Sequence, residues 1–526
     1  MTGESSYTSI EIIIKAGEQM NLKKRIICPA NINILKYLQL QKIIISSPCG
    51  GNGTCGKCKI RLIAGNLMPS ETDRKFFKEE ELKSGYRLAC TAVPRQNVLI
   101  EYKMPSDEAD VISMDITEEV PDLTHRFGIA IDIGTTTIAV ALADIDDEKV
   151  IYADGITNHQ NIYGADVVSR VVAANSGHLK ELQGIIKKDI LEIVERICKK
   201  YGGISEKICD IVISANTTMQ HFLQGYSCEG LGSFPFNPIS LGGETYEFNL
   251  LFENTKDILP NAKVRILKGI STYVGADITS GIMAYDIVNK NETALFIDLG
   301  TNGEMAVINN GRITVASTAA GPALEGGNLS CGMGSIGGAI CGVKYDNNEF
   351  IYQTINDLEP AGICGTGVIE LISVLLENGI INNTGNLSEE YFERGFEINT
   401  LKGIKLVLTM GDIREFQLAK GAIRAGIDTL LKRAGLKYLD IDKVYISGGL
   451  GTRLKPQAAG AVGLIPGELI DSAISIGNSS LQGAVLSLYN PQECNDKIEQ
   501  IIGISQEDFL GNDEEFRNNF IESMNF

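Results

Sequence analysis

Tryptophan is absent from this 526-residue chain, and histidine occurs only four times. His125, His159, His178 and His221 form neither an H-x-E nor an H-E-x-x-H spacing, which argues against histidine-based zinc chemistry. No G-x-S-x-G elbow is present, so the α/β-hydrolase nucleophile is missing too. No uninterrupted apolar run approaches the ~20 residues of a membrane span. The N-terminus lacks a basic segment followed by an apolar one, so neither a signal peptide nor a membrane association is expected. Cysteine is sparse outside one loop. Cys198, Cys209, Cys228, Cys331, Cys341, Cys364 and Cys494 show no paired spacing, and reduced thiols in a cytoplasmic protein are the expectation. What remains is an ordinary globular composition, 44% hydrophobic and 21% charged, long enough for about three domains.

Charge is unevenly placed. Residues 1–104 hold 16 Lys and Arg against 9 Asp and Glu, whereas the whole chain is −19. A basic front segment on an acidic protein suits an acidic electron donor. The basic residues are scattered rather than clustered, so nucleic acid is not an expected partner.

The stretch Cys49-Gly50-Gly51-Asn52-Gly53-Thr54-Cys55-Gly56-Lys57-Cys58 has a C-x5-C-x2-C spacing, and Cys90 follows later. Four thiolates are what a [2Fe–2S] cluster needs, and glycines let backbone wrap closely round an inorganic core. Structural zinc is the rival ligand, because Cys55-x2-Cys58 is also a zinc knuckle. Zinc usually takes two close pairs, and Cys90 has no near partner. The loop also spells G-x-G-x-x-G and, but for Cys58, a Walker A sequence. Both of those require a following helix, and the β-like run Lys-Ile-Arg-Leu-Ile comes instead.

Around this loop, alternation predicts strands at 8–14 and 23–28, at Lys59–Ile63, near Tyr86–Cys90 and at Val98–Tyr102. Asn31 is expected to cap a helix over Ile32–Leu40, and a second helix is expected from Ser70. The order resembles the β-grasp fold of [2Fe–2S] ferredoxins, and the C-x5-C spacing is similar to the adrenodoxin-type variant.

Residues 105–124 read as a linker, with seven Asp and Glu, no Lys or Arg, and prolines at Pro105 and Pro121. Beyond it, Phe127-Gly-Ile-Ala-Ile-Asp132-Ile-Gly134-Thr135-Thr136-Thr137 is an apolar strand ending in Asp-x-Gly and a hydroxyl-rich turn. The pattern returns as Leu295-Phe-Ile-Asp298-Leu-Gly300-Thr301-Asn302-Gly303-Glu304. Such turns offer N–H and O–H groups to phosphate oxygens. A carboxylate beside phosphate requires a cation such as Mg2+ between them, usually through water. Two facing hairpins can therefore clamp a triphosphate from both sides.

These hairpins resemble the phosphate motifs of the actin/hexokinase/Hsp70 superfamily, which binds ATP between two ribonuclease-H-like lobes. The strand Val444-Tyr-Ile-Ser447 running into Gly448-Gly449-Leu450-Gly451 is similar to its adenosine motif. The resemblance implies an α/β multidomain chain: a β-grasp ferredoxin-like domain at 1–104, a linker at 105–124, ATPase lobes at 125–290 and 291–490, and an acidic C-terminal extension at 491–526. Helices are expected at Asp166–Ala174, Leu179–Lys200, Gly275–Tyr285, Ile413–Ala434 and Ser480–Leu488. Asn216-Thr217-Thr218 reads either as a helix cap or as a further ligand-facing start. Gly362 to Gly367 reads either as a nucleotide turn or as a close-packing one. Gly332-Met333-Gly334 lacks a preceding strand and is not a dinucleotide site.

A [2Fe–2S] module joined to an actin-like ATPase resembles the reductive activators of corrinoid proteins. Gly164-Ala-Asp166-Val-Val-Ser-Arg170, Asn216-Thr-Thr-Met219 and Ala320-Gly-Pro-Ala-Leu-Glu-Gly326 extend the likeness. Met333-Gly334-Ser335 stands where relatives tend to carry Met-Arg-Ala, and no C-terminal cysteine clusters are present. The resemblance implies transfer of one electron to a Co(II) corrinoid protein of a methyltransferase system, with ATP, Mg2+, a low-potential electron donor and a homodimer. It implies that Cys49, Cys55, Cys58 and Cys90 hold the cluster, and that Asp132 and Asp298 position Mg2+. Phosphates would fall to Gly134, Thr135, Thr136, Thr137, Asn216, Gly300, Thr301, Asn302 and Gly303, and adenosine to Gly448, Gly449 and Gly451. Glu304 is the candidate for orienting water. A small-molecule kinase of the same superfamily, or a nucleotide-sensing electron carrier, are the alternatives.

Overall fold

The alternating strands of the first hundred residues form in the computed structural model as β1 (Tyr7–Ala16) and β2 (Met20–Pro29), antiparallel with Ile10 opposite Ile26. The structure describes residues 7–16, 20–29, 32–41, 51–103, 120–253, 258–398, 406–450, 453–511 and 513–526, and the single positions 43, 45, 47, 49, 114, 116, 117 and 255. Strands β3 (Lys59–Ala64), β4 (Tyr86–Leu88) and β5 (Val98–Lys103) complete a sheet in the order β2-β1-β5-β3-β4, in which β1 and β5 run parallel. Helix α1 (Ile34–Leu40) lays Ile34, Leu35 and Leu38 into a core with Ile10, Ile60, Leu88 and Ile100. This is the mixed sheet and crossing helix of a β-grasp domain.

The cap of α1 differs from expectation. Asn33 caps it, accepting the Lys36 N–H at 2.8 Å, and Asn31 lies outside the described residues. The first helical amides explain the shift. Ile34 N–H donates to Ala92 O (2.8 Å) and Leu35 N–H to Ala89 O (3.0 Å), so the start is set by the loop that carries Cys90. Ser70 begins α2 (Glu71–Phe76) through a reciprocal capping box with Asp73.

Most of the expected linker lies outside the described residues. Its far end is held: Ile116 bridges to Val150, the Thr117 N–H donates to Val150 O, and Met114 packs on apolar core.

The remaining chain builds two six-stranded sheets. The first contains β6 (Phe127–Ile133), β7 (Thr137–Asp144), β8 (Lys149–Thr157), β9 (Ile208–Ala215), β10 (Thr245–Glu247) and β11 (Lys263–Ile266), in the order β10-β11-β9-β6-β7-β8. A second pass begins with β12 (Ala294–Leu299), β13 (Gly303–Asn309) and β14 (Arg312–Thr318). The strands β15 (Ala339–Asp346), β16 (Glu349–Thr354) and β17 (Gly362–Ile363) form a small sheet, and β18 (Phe396–Ile398) pairs with β19 (Leu406–Leu408). Strands β20 (Lys443–Ser447), β21 (Ala473–Gly477) and β22 (Ser505–Glu507) then close the second large sheet as β21-β20-β12-β13-β14-β22. In both sheets an antiparallel hairpin, β6-β7 or β12-β13, sits beside a parallel neighbour, β9 or β20. The hairpin repeat seen in the sequence is thus a repeat of topology.

The helices Leu179–Lys200, Ala276–Ala284, Met410–Arg433 and Ser479–Tyr489 match their expected spans to within a few residues. One apolar core contains Ala130 and Val212 of the first sheet, Phe296 and Ala306 of the second, and Leu481, Val485 and Leu488 of the helix Ser479–Tyr489. The two sheets therefore belong to one compact unit, residues 108–158 and 174–526. Residues 1–107 form the other unit together with 159–173, where the Gln39 Nε2 donates to Ile162 O at 3.1 Å. The C-terminal segment expected as an extension supplies β22 and the helix Glu514–Glu522, whose neighbour Gln417 donates to Met524 O.

Candidate functional site

The thiols come together as two pairs. Cys49 and Cys55 have sulfurs 3.2 Å apart, and Cys58 and Cys90 share a hydrogen bond. Gly51, Gly53 and Gly56 hold φ of 90°, 74° and 66°, a left-handed backbone open to glycine. At Gly56 a Cβ would also lie 2.5 Å from the Phe76 ring. Within each pair one thiol donates to the other. Cys55 thereby pushes the Cys49 thiol down to about 4 and is itself raised, and Cys90 is lowered while Cys58 is raised. Among the described residues no three of these sulfurs lie within 4.8 Å of one another. A single tetrahedral zinc would gather all four sulfurs round one point. Two pairs fit two irons, so the donor set suits a [2Fe–2S] cluster. Cys58 and Cys90 are buried, whereas Cys49 and Cys55 are half-buried.

Asp73 braces this loop. It is buried, accepts the Ser70 N–H and hydroxyl with one oxygen, and accepts the Leu88 N–H (2.7 Å) with the other. It so ties α2 to the end of β4, two residues before Cys90.

The second site is a cleft between the two hairpins. Asp132, Gly134, Thr135, Thr136, Thr137, Asn216, Asp298, Gly300, Thr301, Asn302, Glu304, Gly448 and Gly449 all line it. Each turn closes on itself, with the Gly134 N–H donating to Thr137 O and the Gly300 N–H to Asn302 O. Asn216 does two jobs: its Oδ1 caps the helix Thr217–Gln224 at Met219 N–H, and its Nδ2 reaches Thr135 Oγ1 at 3.4 Å. At Gly448, φ is 99° and a Cβ would lie 2.4 Å from Leu299 O, so backbone can approach the cleft there only as glycine. Gly451 lies outside the described residues. Gly303 is buried in β13, where a Cβ would lie 1.9 Å from Ile423, so its requirement is packing. Gly365 and Gly367 are likewise packing glycines, against Leu324 O and Ile340 O.

Several lining residues were not expected as site residues: Asp277, Glu325, Gly334, Ser335, Asn478 and Ser480. Asn478-Ser479-Ser480 repeats the signature of Asn216-Thr217-Thr218, a polar cap after an apolar strand, and was open to discovery on that ground. Asp277 and Glu325 carry no such signal. Gly334 and Ser335, expected as a departure from the family pattern, are at the cleft wall. Among the described residues the lining contains five carboxylates and neither lysine nor arginine.

The carboxylates are anchored individually. Asp132 accepts from Ser480 Oγ (2.7 Å) and Asn478 Nδ2 (2.8 Å), and Asp298 accepts from Ser447 Oγ (2.8 Å). In the sheet Asp298 stands opposite both Glu304 and Ser447. Burial raises the Asp132 carboxyl against its two donors. Burial also raises Asp298, to about 6, with the charges of Asp132 and Glu325 adding to it and Ser447 opposing. Asp277 is pushed up by burial and by the charges of Asp298 and Asp132, and Glu304 by burial and by the charges of Asp277 and Asp298. Such a set is costly to ionise without a cation. Together with the hydroxyl-rich turns it suits a cation–phosphate ligand.

Paired thiols on a β-grasp sheet and facing phosphate-type turns on a duplicated fold define a ferredoxin-type domain joined to an actin-like nucleotide-binding fold. Family models agree region by region. Residues 19–95 match the 2Fe-2S iron-sulfur cluster binding domain, 127–290 the RACo middle region, and 292–526 the C-terminal domain of RACo, the ASKHA domain. The chain is 33% identical over 394 residues to the corrinoid activation enzyme RamQ of Eubacterium limosum, covering 70% of this chain but 65% of that protein. It is 26% identical to the [Co(II) methylated amine-specific corrinoid protein] reductase of Methanosarcina barkeri, covering 75% and 76% of the two chains. A solved reductive activator for corrinoid, iron-sulfur protein superposes with a TM-score of 0.71 at 26% identity and covers 98% of each chain. Two RACo models thus match residues 127–290 and 292–526, and the chain is similar to corrinoid-protein activators along its length.

Proposed function

We propose that the protein is an ATP-dependent reductive activator, which passes one electron from a [2Fe–2S] cluster to a Co(II) corrinoid protein and so restores Co(I). The observation that carries this reading is the coexistence in one chain of two thiol pairs on a ferredoxin fold and a carboxylate-lined cleft between two phosphate turns. The reaction balances with one electron: Co(II) becomes Co(I), and a low-potential donor refills the protein.

Cys49, Cys55, Cys58 and Cys90 hold the cluster, which supplies electrons one at a time. Asp132 and Asp298 position Mg2+, and their donors Ser480, Asn478 and Ser447 keep each carboxylate aimed. Thr135, Thr136 and Thr137 bind phosphate from one side, and Thr301 and Asn302 from the other. Gly448 and Gly449 let backbone approach adenosine. Glu304, whose carboxyl is raised by burial and by the charges of Asp277 and Asp298, is the candidate for orienting water. A ligand shifts a conformational equilibrium only through its differential affinity for two states. ATP must therefore favour one arrangement of the two hairpins, and that arrangement must bind the corrinoid protein with altered affinity. We place the protein in the cytoplasm, as a homodimer.

The test is anaerobic. The reduced protein is mixed with a Co(II) corrinoid methyltransferase protein, with and without MgATP, and the cobalt absorption is followed. Co(I) should appear with MgATP. Its formation at the same rate without nucleotide, or its absence with every corrinoid partner tried, would sink the proposal.

A further inference from the structure

Glu325 stands at the end of the short turn Pro322–Glu325, where it faces both phosphate turns. Its Oε2 accepts from Thr136 Oγ1 at 2.9 Å and also from Thr301 Oγ1. The two hydroxyls are 3.3 Å apart. Thr136 belongs to the β6-β7 hairpin and Thr301 to the β12-β13 hairpin, so one carboxylate oxygen spans the cleft. A carboxylate oxygen and a phosphate oxygen ask for the same thing, a pair of converging donors.

The residue is held there by packing. Gly326 has a φ of 77°, and a Cβ on it would lie 2.2 Å from Met333 O. The backbone carbonyl of Leu324 presses on Gly365, where a Cβ would lie 1.6 Å from it. The turn is thus clamped between the strand-like segment at Met333 and the start of the helix Gly365–Glu377. Two further carboxylates, Asp132 and Asp298, lie in the same cleft, and an anionic ligand entering it meets their charge as well.

We propose that Glu325 is a built-in competitor for phosphate, which cross-links the two hairpins through Thr136 and Thr301 and must release both hydroxyls before a nucleotide phosphate can take them. Glu325 is a positioning residue for nucleotide affinity and not a cation ligand. The proposal rests on the reading of this cleft as an ATP site. It links occupancy to hairpin movement, because the same oxygen that blocks phosphate also joins the hairpins.

The test uses the full chain with its cluster, as wild type, Glu325→Gln and Glu325→Ala. Hydrogen exchange is first measured without nucleotide on peptides spanning 134–137 and 300–303. Both peptides should exchange several-fold faster in the two variants, while the helix Met410–Arg433 stays unchanged and reports intact folding. Calorimetric titration with ATP is then run with and without Mg2+. Both variants should bind nucleotide at least about fivefold more tightly than wild type under both conditions. Unchanged exchange in the two turns would overturn the latch. Binding weakened tenfold with Mg2+ yet unaltered without it would overturn it too, by making Glu325 a cation ligand. If wild type fails to bind MgATP while exchange still responds to Glu325, the ATP reading falls and the cross-link stands.

Discussion

Asp298 is the residue whose environment most directly sets a solution property. Its carboxyl, raised to about 6 by burial, is held above the ~3.9 of an unfolded chain. Between these values the folded protein binds a proton that the unfolded chain has lost, so stability falls as pH rises through the window. The slope is about 1.4 kcal/mol per pH unit for one proton. Asp298→Asn should remove this slope. In denaturant titrations without divalent cation, the variant should gain on wild type from about pH 4.5 to 6 and then hold a constant difference. Asp132 and Asp298 were legible in the sequence because each closes an apolar strand with Asp-x-Gly. Asp277 and Glu325 were not, since an acid at a helix start or on a short turn is ordinary surface chemistry until the packing shows where it points.

Among the elements, the short helix α2 matters more than its six residues suggest. Asp73 accepts from Ser70 at its own N-terminus and from the Leu88 N–H of β4. Asp73→Ala should therefore cost a cap, about 1 kcal/mol, and leave a buried amide unsatisfied, about 1–3 kcal/mol more. The expected outcome is a visible absorption that bleaches faster under chelator, with MgATP affinity unaltered. Ser70, a residue that caps helices well, marked the start of this helix in the sequence. The start of α1 was read two residues early because both Asn31 and Asn33 are good caps. The choice is made by tertiary contacts, the amides of Ile34 and Leu35 meeting Ala92 and Ala89.

For the molecule as a whole, the order of modules was legible from three motifs and an acidic spacer. The joining of the sheets was not, because a shared core leaves no mark on a local pattern. The described contacts keep the cysteines in one unit and the cleft in the other. Cys55→Ala should accordingly abolish the cluster absorption and cobalt reduction, with MgATP binding within about twofold of wild type by calorimetry. Loss of both would show that the two halves depend on each other to fold.

The helix Ser479–Tyr489 has a consequence for how the protein is made. It packs on β6 and β9 of the first sheet, with Leu488 against Gly128, and its cap region supplies both donors to Asp132. The ribosome delivers 127–290 long before it delivers this helix; at 5–20 residues per second the delay is roughly 10–40 s. Throughout that interval the part of β6 and β9 that this helix covers stays open. Synthesis of this chain should thus be more exposed to aggregation, and more dependent on holding chaperones, than its N-terminal ferredoxin unit alone.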